Sequence, residues 1–299
     1  MNPAIGALDR FFFEKAPATR PAILRLMLGA YILFYLGKRY RMLMKVAASD
    51  PSMFKPVGVV SPIKKPIPAW TFRWLFVLTM ASGVAFTLGL RHRRSGPLFA
   101  GLFLFLLSYR NSWSMIYHND NVLVLHALIL GLAPSADVLS LDSLMSATED
   151  PEPDWRYGWP VKLMSVVTAL TYCLAGIAKI KGPLGWKWAE GESLRAQIAA
   201  DGMRKELLGS KSAPLAYVLY DRVPLFRLMG MGSLVLETAA PLFLVNKRLA
   251  RLWAFNALML HWGIYFTMRI KFRYQMSGLI FASFLDLDRL LSRTSGKSS

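Results

Sequence analysis

Val161-Lys-Leu-Met-Ser-Val-Val-Thr-Ala-Leu-Thr-Tyr-Cys-Leu-Ala-Gly-Ile-Ala-Lys179 is an apolar run with Lys162 near its start and Lys179 at its end. It approaches the roughly 20 residues that a helix needs to cross the hydrocarbon core of a bilayer. It is too long and too continuous for a barrel strand, in which apolar and polar side chains alternate. The reading is a membrane helix, with Lys179 where such a helix meets water or an internal cavity. Two roles suit a lysine there. Its stem can lie along apolar surface while the ammonium snorkels to the headgroups. Alternatively, desolvation or a cationic neighbour favours the neutral amine, and the amine is then a base.

Similar runs recur along the 299 residues, of which 54% are hydrophobic, 13% aromatic and 18% charged. A soluble domain carries about a quarter charged residues. The expected fold is therefore an all-α, polytopic transmembrane helical bundle in a lipid bilayer, with about 7–8 membrane segments plus interfacial helices. The net charge of +18 invites a nucleic-acid partner. The basic residues, however, stand between apolar runs, as in cytoplasmic-side loops facing anionic lipid, and no nucleic acid is expected. Cys173 is the only cysteine, which excludes a disulfide framework, an iron–sulfur cluster and a Cys-based zinc site within one chain. Residues 1–20 carry Asp9 and Glu14 and lack a small-residue cleavage site after an apolar core. They read as an interfacial N-terminal segment around Phe11-Phe-Phe13, not as a cleaved signal peptide.

Upstream of the quoted run, the expected spans are 21–36 (extended as a helix through Arg41), 70–90, 96–107 and 122–132; downstream they are 226–245, 249–268 and a short 276–287. Arg25 lies near the start of the first span, where it can snorkel. Residues 134–157 form an acidic extramembrane loop with six acids against Arg156. Residues 182–224 are too polar to span and read as an amphipathic connector, and 294–299 read as a disordered tail. The whole, 1–299, is expected to be a single transmembrane domain. Placing the acidic loop on the non-cytoplasmic side satisfies the positive-inside rule for the long basic connectors. It also places the N-terminus outside, against the charge of Arg10, Lys15 and Arg20. The expected location is multi-pass in a bacterial inner membrane.

Ionisable groups inside spans are costly and point to function. Besides Lys179 they are His261 and Glu237, each in the middle of a span, His118 at the junction before 122–132, and His126 within it. Each has a structural alternative. An intramembrane histidine can simply bond a neighbouring helix, Glu237 can be the partner of Lys179 or of an arginine, and His118 can belong to ordinary loop chemistry. No HxxH, HxxxH or ExxH pairing is present, and no metal is expected. Nucleophile elbows, phosphate-cradling glycine loops and dinucleotide fingerprints are absent.

Tyr172-Cys-Leu-Ala-Gly-Ile-Ala-Lys-Ile180 followed by Trp188-Ala-Glu-Gly-Glu-Ser-Leu194 resembles the AG-x-x-K-[LI]…W-x-x-G-x-[SA]-[LM] signature of the HTTM superfamily. That superfamily contains the vitamin K-dependent gamma-carboxylases and many bacterial membrane proteins. Tyr117-His-Asn-Asp-Asn-Val-Leu-Val-Leu125 is similar to its junction before a membrane helix, and Leu260-His-Trp-Gly-Ile-Tyr-Phe-Thr-Met268 to its histidine-bearing helix. The resemblance covers nearly the whole chain. It implies that Lys179 is the base that deprotonates reduced vitamin K or menaquinol, a hydrophobic quinone partner drawn from the bilayer. The anion then reacts with dioxygen, and a strongly basic oxygenated intermediate removes the gamma-proton of a glutamate. Carbon dioxide is the second co-substrate if the protein is a carboxylase. It further implies that His118 lies near the substrate glutamate or carbon dioxide, and that His261 orients the quinone, with Trp188 and Glu237 on the same cofactor-binding side.

Two departures from the family pattern bear on the acceptor. The carboxylases carry a large non-cytoplasmic C-terminal region that positions a protein or peptide substrate, whereas this sequence ends soon after its last apolar stretch. Lys181-Gly-Pro-Leu-Gly185 also lengthens the gap between lysine and tryptophan. A lysine-activated quinol core with another acceptor, or with epoxidation alone, fits both. Two other readings stay open. One is a non-catalytic membrane protein, such as an SdpB-like immunity or export partner. The other is a small proton-coupled transporter using Glu237, His261 and Lys179.

Overall fold

The computed structural model describes residues 3–113, 115–146 and 149–289, apart from the side chains of 3–5. The tail expected at 294–299 lies outside the described residues. Every extended regular element among them is helical. Ala16 and Asp154 form an isolated antiparallel bridge. Contacts divide the chain into two units, Met1–Met164 with Asp286–Ser299, and Ser165–Leu285.

The first unit begins with α1 (Pro3–Phe12) and α2 (Thr19–Ala47), followed by α3 (Ala69–Leu88), α4 (His92–Asn111), α5 (Asn121–Leu132), the short α6 (Leu141–Ser146) and the start of α7 (Trp155–Lys181). α2 buries Leu24, Leu28, Ile32, Tyr35 and Leu36 along one face, the spacing of a helix with a packed stripe. α3 stops at Gly89, whose φ of +66° suits a residue without Cβ; Leu90 N–H donates to Ala85 O at 2.8 Å and Gly89 N–H to Phe86 O at 3.0 Å. The first N–H groups of α4 are capped from a distance. The Asp142 carboxylate accepts from Arg91 N–H at 2.7 Å and His92 N–H at 2.8 Å, which satisfies donors that a helix start leaves open.

α4 and α5 touch through glycines. A Cβ on Gly131 would stand 2.7 Å from Gly96 O, and one on Gly96 only 2.4 Å from Gly131 O, the small-residue contact common between membrane helices. Gly131→Ala is expected to separate the two helices and cost about 1–3 kcal/mol, read as a lowered midpoint in denaturant unfolding of the detergent-purified protein.

Two buried cations organise this unit. Arg25 is not a snorkel: it is fully buried and donates to Thr87 O at 3.3 Å and to Ser135 O and Leu139 O. Those carbonyls meet the guanidinium's demand for acceptors away from water. Arg110 donates to Asp120 Oδ2 at 2.8 Å and to the Tyr35 hydroxyl at 3.2 Å, while that hydroxyl donates to the same carboxylate. Asn119 donates to the other carboxylate oxygen at 3.2 Å. His126 is buried with Nε2 3.1 Å from Met164 O, the helix-bonding role open to any intramembrane histidine.

The second unit holds the rest of α7, a 3-10 turn (Gly185–Glu190), α8 (Glu192–Leu207), α9 (Pro214–Leu219), α10 (Val223–Thr238), a 3-10 segment (Ala240–Val245), α11 (Lys247–Met268), α12 (Arg273–Met276) and a last 3-10 segment (Leu279–Phe284). The connector expected at 182–224 is thus largely helical. Ile198, Ala213, Ala216 and Phe226 form its core, with Leu194, Leu219 and Met268 against it. Lys205 joins Asp201 at 2.5 Å and also donates to Met268 O, which ties α8 to the end of α11. The Glu206 carboxylate accepts from the Tyr217 hydroxyl at 2.5 Å and the Ser212 hydroxyl at 2.7 Å, donors that hold it below the usual carboxylate range.

The expected count of 7–8 membrane segments needs correction. Among the described residues three helices are long and apolar enough to cross a membrane: α2, α3 and α7. α4 and α11, the latter at the span expected over 249–268, have comparable length. Arg93, Arg94, Arg110 and Asn111 at the ends of the first, and Lys247, Arg248 and Arg251 at the start of the second, shorten their apolar stretches. α5 has 12 residues, too few for about 30 Å of hydrocarbon. The run at 226–245 is not one helix: α10 stops at Thr238, and a 3-10 segment carrying Pro241 follows, since proline cannot donate to a continuing helix. The run at 276–287 is divided by Gly278, with φ +78°, between α12 and a 3-10 segment.

Candidate functional site

Ser165, Thr168, Tyr172, Gly176 and Lys179 recur at three- and four-residue steps along α7, so they share one face. That face turns into the second unit. Ser165 Oγ donates to Ser283 Oγ at 2.9 Å, and the Tyr172 hydroxyl lies 2.6 Å from His261 Nε2. Cys173 Sγ is 3.4 Å from Thr238 O. Lys179 Nζ donates to Glu237 Oε1 at 2.6 Å and Oε2 at 2.5 Å.

Two glycines of the signature make this geometry possible. A Cβ on Gly176 would meet Thr238 Cγ2 at 2.7 Å, Thr238 N at 2.9 Å and Glu237 Cβ at 3.0 Å. The bare backbone therefore lets α7 approach α10 until the lysine reaches its carboxylate. Gly191 has φ +80°, and a Cβ there would stand 2.2 Å from the carbonyl carbon of Phe226. This turn ends the 3-10 segment carrying Trp188, whose ring lies 5.3 Å from Lys179 Nζ, within cation–π range.

Glu237 is 7% exposed and His261 8%, while the Lys179 side chain keeps 25% of its surface. The carboxylate is the interior member of the pair and the ammonium its outward one. Tyr172 packs edge-on against Trp253 and His261, with ring centroids at 5.2 and 5.7 Å, and Phe272 lies 4.9 Å from the imidazole. Trp253 Nε1 donates to Leu236 O at 2.9 Å and so fixes α10 beside the carboxylate. Among the described residues the buried His261 Nδ1 has no hydrogen-bond partner. Tyr172 engages Nε2, and the tautomer decides whether Nδ1 is left to donate or to accept. Tyr172 and Lys179 stand two turns apart on one face of α7, so that helix carries both pairs.

The structure therefore brings Lys179, Glu237 and Trp188 together and adds Tyr172 as the contact of His261. Glu237 is the partner of Lys179, one of the two alternatives open for it in the sequence. His118 belongs to the first unit, exposed, at the head of a 3-10 turn (His118–Asp120) beside the Arg110–Asp120 pair. Tyr172 escaped the sequence reading although it opens the quoted motif; its spacing of two helical turns from Lys179 was the available signal. Chemically, the group offers an ammonium, a carboxylate, a phenol and an imidazole nitrogen with no partner, framed by aromatic rings.

A family model described as the HTTM domain matches residues 13–285 and so spans both units. No curated protein and no solved structure matches the chain.

Proposed function

Because the chain belongs to the HTTM family, a membrane protein by this family and its three apolar helices, we propose that it is a multi-pass enzyme acting on a lipid-soluble quinol, with the Lys179–Glu237 pair as its proton acceptor. The observation that carries this reading is the Lys179 ammonium bonded to both oxygens of a buried carboxylate, two helical turns along α7 from Tyr172, which bonds an imidazole whose other nitrogen has no partner among the described residues.

A reduced vitamin K or menaquinol fits those residues. One ring hydroxyl pairs with the open nitrogen of His261, which Tyr172 holds in place, and the ring lies among aromatic faces. Lys179 passes one proton to Glu237 and, as the neutral amine, takes the proton of the other hydroxyl. The pair gains one proton and the quinol loses one. The returned ammonium then stands beside the quinol anion and stabilises it. The bound quinol supplies the reaction with dioxygen; carbon dioxide enters only if the acceptor is carboxylated. The inner bacterial membrane is the proposed location, and quinol enters laterally from lipid. A proton-relay transporter is the second reading, favoured by the same Lys179–Glu237 and Tyr172–His261 pairs.

Equilibrium binding distinguishes them. Menaquinol titrated under anaerobic conditions against the detergent-purified protein should quench tryptophan fluorescence saturably. His261→Phe should weaken the affinity about tenfold, the value of one lost hydrogen bond, and Lys179→Met should leave it within a few-fold. Absence of saturable binding, or equal binding by His261→Phe, would overturn the quinol reading.

A further inference from the structure

The first unit contains a second site, built from none of the residues above. A cleft of about 800 Å³ lies between the start of α4, the end of α5, the acidic loop and the start of α7; its lining includes His92, Arg93, Asp137, Asp142, Glu149 and Arg156. That is the size of a small-molecule site. The Asp142 carboxylate is engaged by the N–H groups of Arg91 and His92, Asp137 accepts from the Tyr157 hydroxyl at 2.7 Å, and Arg156 bonds Asp154 at 3.1 Å. Arg93 and Glu149 hold no ion pair or hydrogen bond among the described residues, although opposite charges line the same space.

His92 adds an independent observation. It is 5% exposed, with Nε2 3.1 Å from both Ala133 O and Ser135 Oγ. The Ser135 hydroxyl spends its own hydrogen on Leu130 O at 2.9 Å. Nε2 must then carry the imidazole hydrogen, and Nδ1 is a bare acceptor, buried and without a partner among the described residues. The cleft thus offers a cation and an anion unpaired among the described residues, with an unmet acceptor buried in its wall.

We propose that this cleft binds a small zwitterion in which a primary ammonium stands a few bonds from an anionic oxygen group, as in phosphoethanolamine, either free or as a lipid headgroup. The ammonium meets Glu149 and Asp137, and the anionic end meets the fork of Arg93. The site lies at the N-terminal end of α7, a helix able to span the membrane, where headgroups are found.

Titration of O-phosphoethanolamine into the full chain in detergent, followed by thermal shift, tests the proposal, with phosphocholine, ethylamine and inorganic phosphate as controls. Native mass spectrometry of protein released from nanodiscs of mixed phosphatidylethanolamine and phosphatidylcholine supplies the lipid arm. Saturable binding of phosphoethanolamine, at least about tenfold tighter than phosphocholine, which has no N–H for the two carboxylates, is the expected result. Arg93→Gln and Glu149→Gln, both on the surface, should each weaken it by about tenfold. If the soluble probe binds weakly but phosphatidylethanolamine is retained by the wild type and lost from both variants, the ligand is the lipid headgroup. Retention of neither lipid beside tight soluble binding assigns a free zwitterion. Phosphoethanolamine binding no tighter than phosphocholine or phosphate, with no preference between the lipids, overturns the proposal. So do folded variants that bind as the wild type does.

Discussion

Asp120→Ala is expected to destabilise the protein by about 3–5 kcal/mol, the cost of leaving one member of a buried ion pair alone. The Arg110 side chain is 2% exposed and that of Asp120 6%, so water reaches neither well enough to replace the lost partner. The Tyr35 hydroxyl and Asn119 amide lose their acceptor at the same time. In thermal unfolding the loss corresponds to a drop on the order of 10 °C. The double variant Arg110→Met with Asp120→Leu should recover most of it, because matched apolar groups replace both charges. A single variant that melts within about 1 °C of the wild type would show that the pair holds nothing together. Since Asp120 closes the turn headed by His118, hydrogen exchange should accelerate at 118–120 in the single variant.

Glu237→Leu carries the second large effect, and here stability and function separate. The variant leaves Lys179 facing a site with no carboxylate. The expected loss is about 3 kcal/mol, at the low end for a buried pair, because the lysine side chain is 25% exposed and water screens part of the charge. Adding Lys179→Met to Glu237→Leu should restore stability, read as the denaturant midpoint, yet leave quinol turnover at background. If the double variant regains turnover with its fold, the pair is only a structural clamp between α7 and α10. If the single variant is as stable as the wild type, the bonds to Glu237 contribute nothing to the fold.

The legible parts of this chain are those fixed locally. The apolar length of 161–179 and the three- and four-residue spacing of Tyr172, Gly176 and Lys179 belong to one helix. The Gly176 and Gly191 positions of the signature were readable as motif letters; their reason, a close approach to Glu237 and to Phe226, needed the structure. Lys179 and Glu237 lie 58 residues apart, and no periodicity links such positions, so two partners stayed open for the carboxylate. Arg25 misled for the same reason. Its acceptors come from residues 87, 135 and 139, gathered by the fold, while its position near a helix start reads as a snorkel. Two of the expected spans failed where apolar composition continued across a helix break, at Thr238 to Pro241 and at Gly278. Hydropathy does not register a change from α-helix to 3-10 turn.

Turnover tests the central claim, that the Lys179–Glu237 pair takes a proton from a quinol. Purified protein in nanodiscs would be supplied with menaquinol or vitamin K hydroquinone and dioxygen, with quinone epoxide followed by mass spectrometry. Epoxide should form with the wild type, and Lys179→Met should lower its rate by about 100-fold or more, as removal of a positioned general base does, while quinol binding remains. No epoxide from either quinol, or a Lys179→Met rate equal to that of the wild type, would contradict the account.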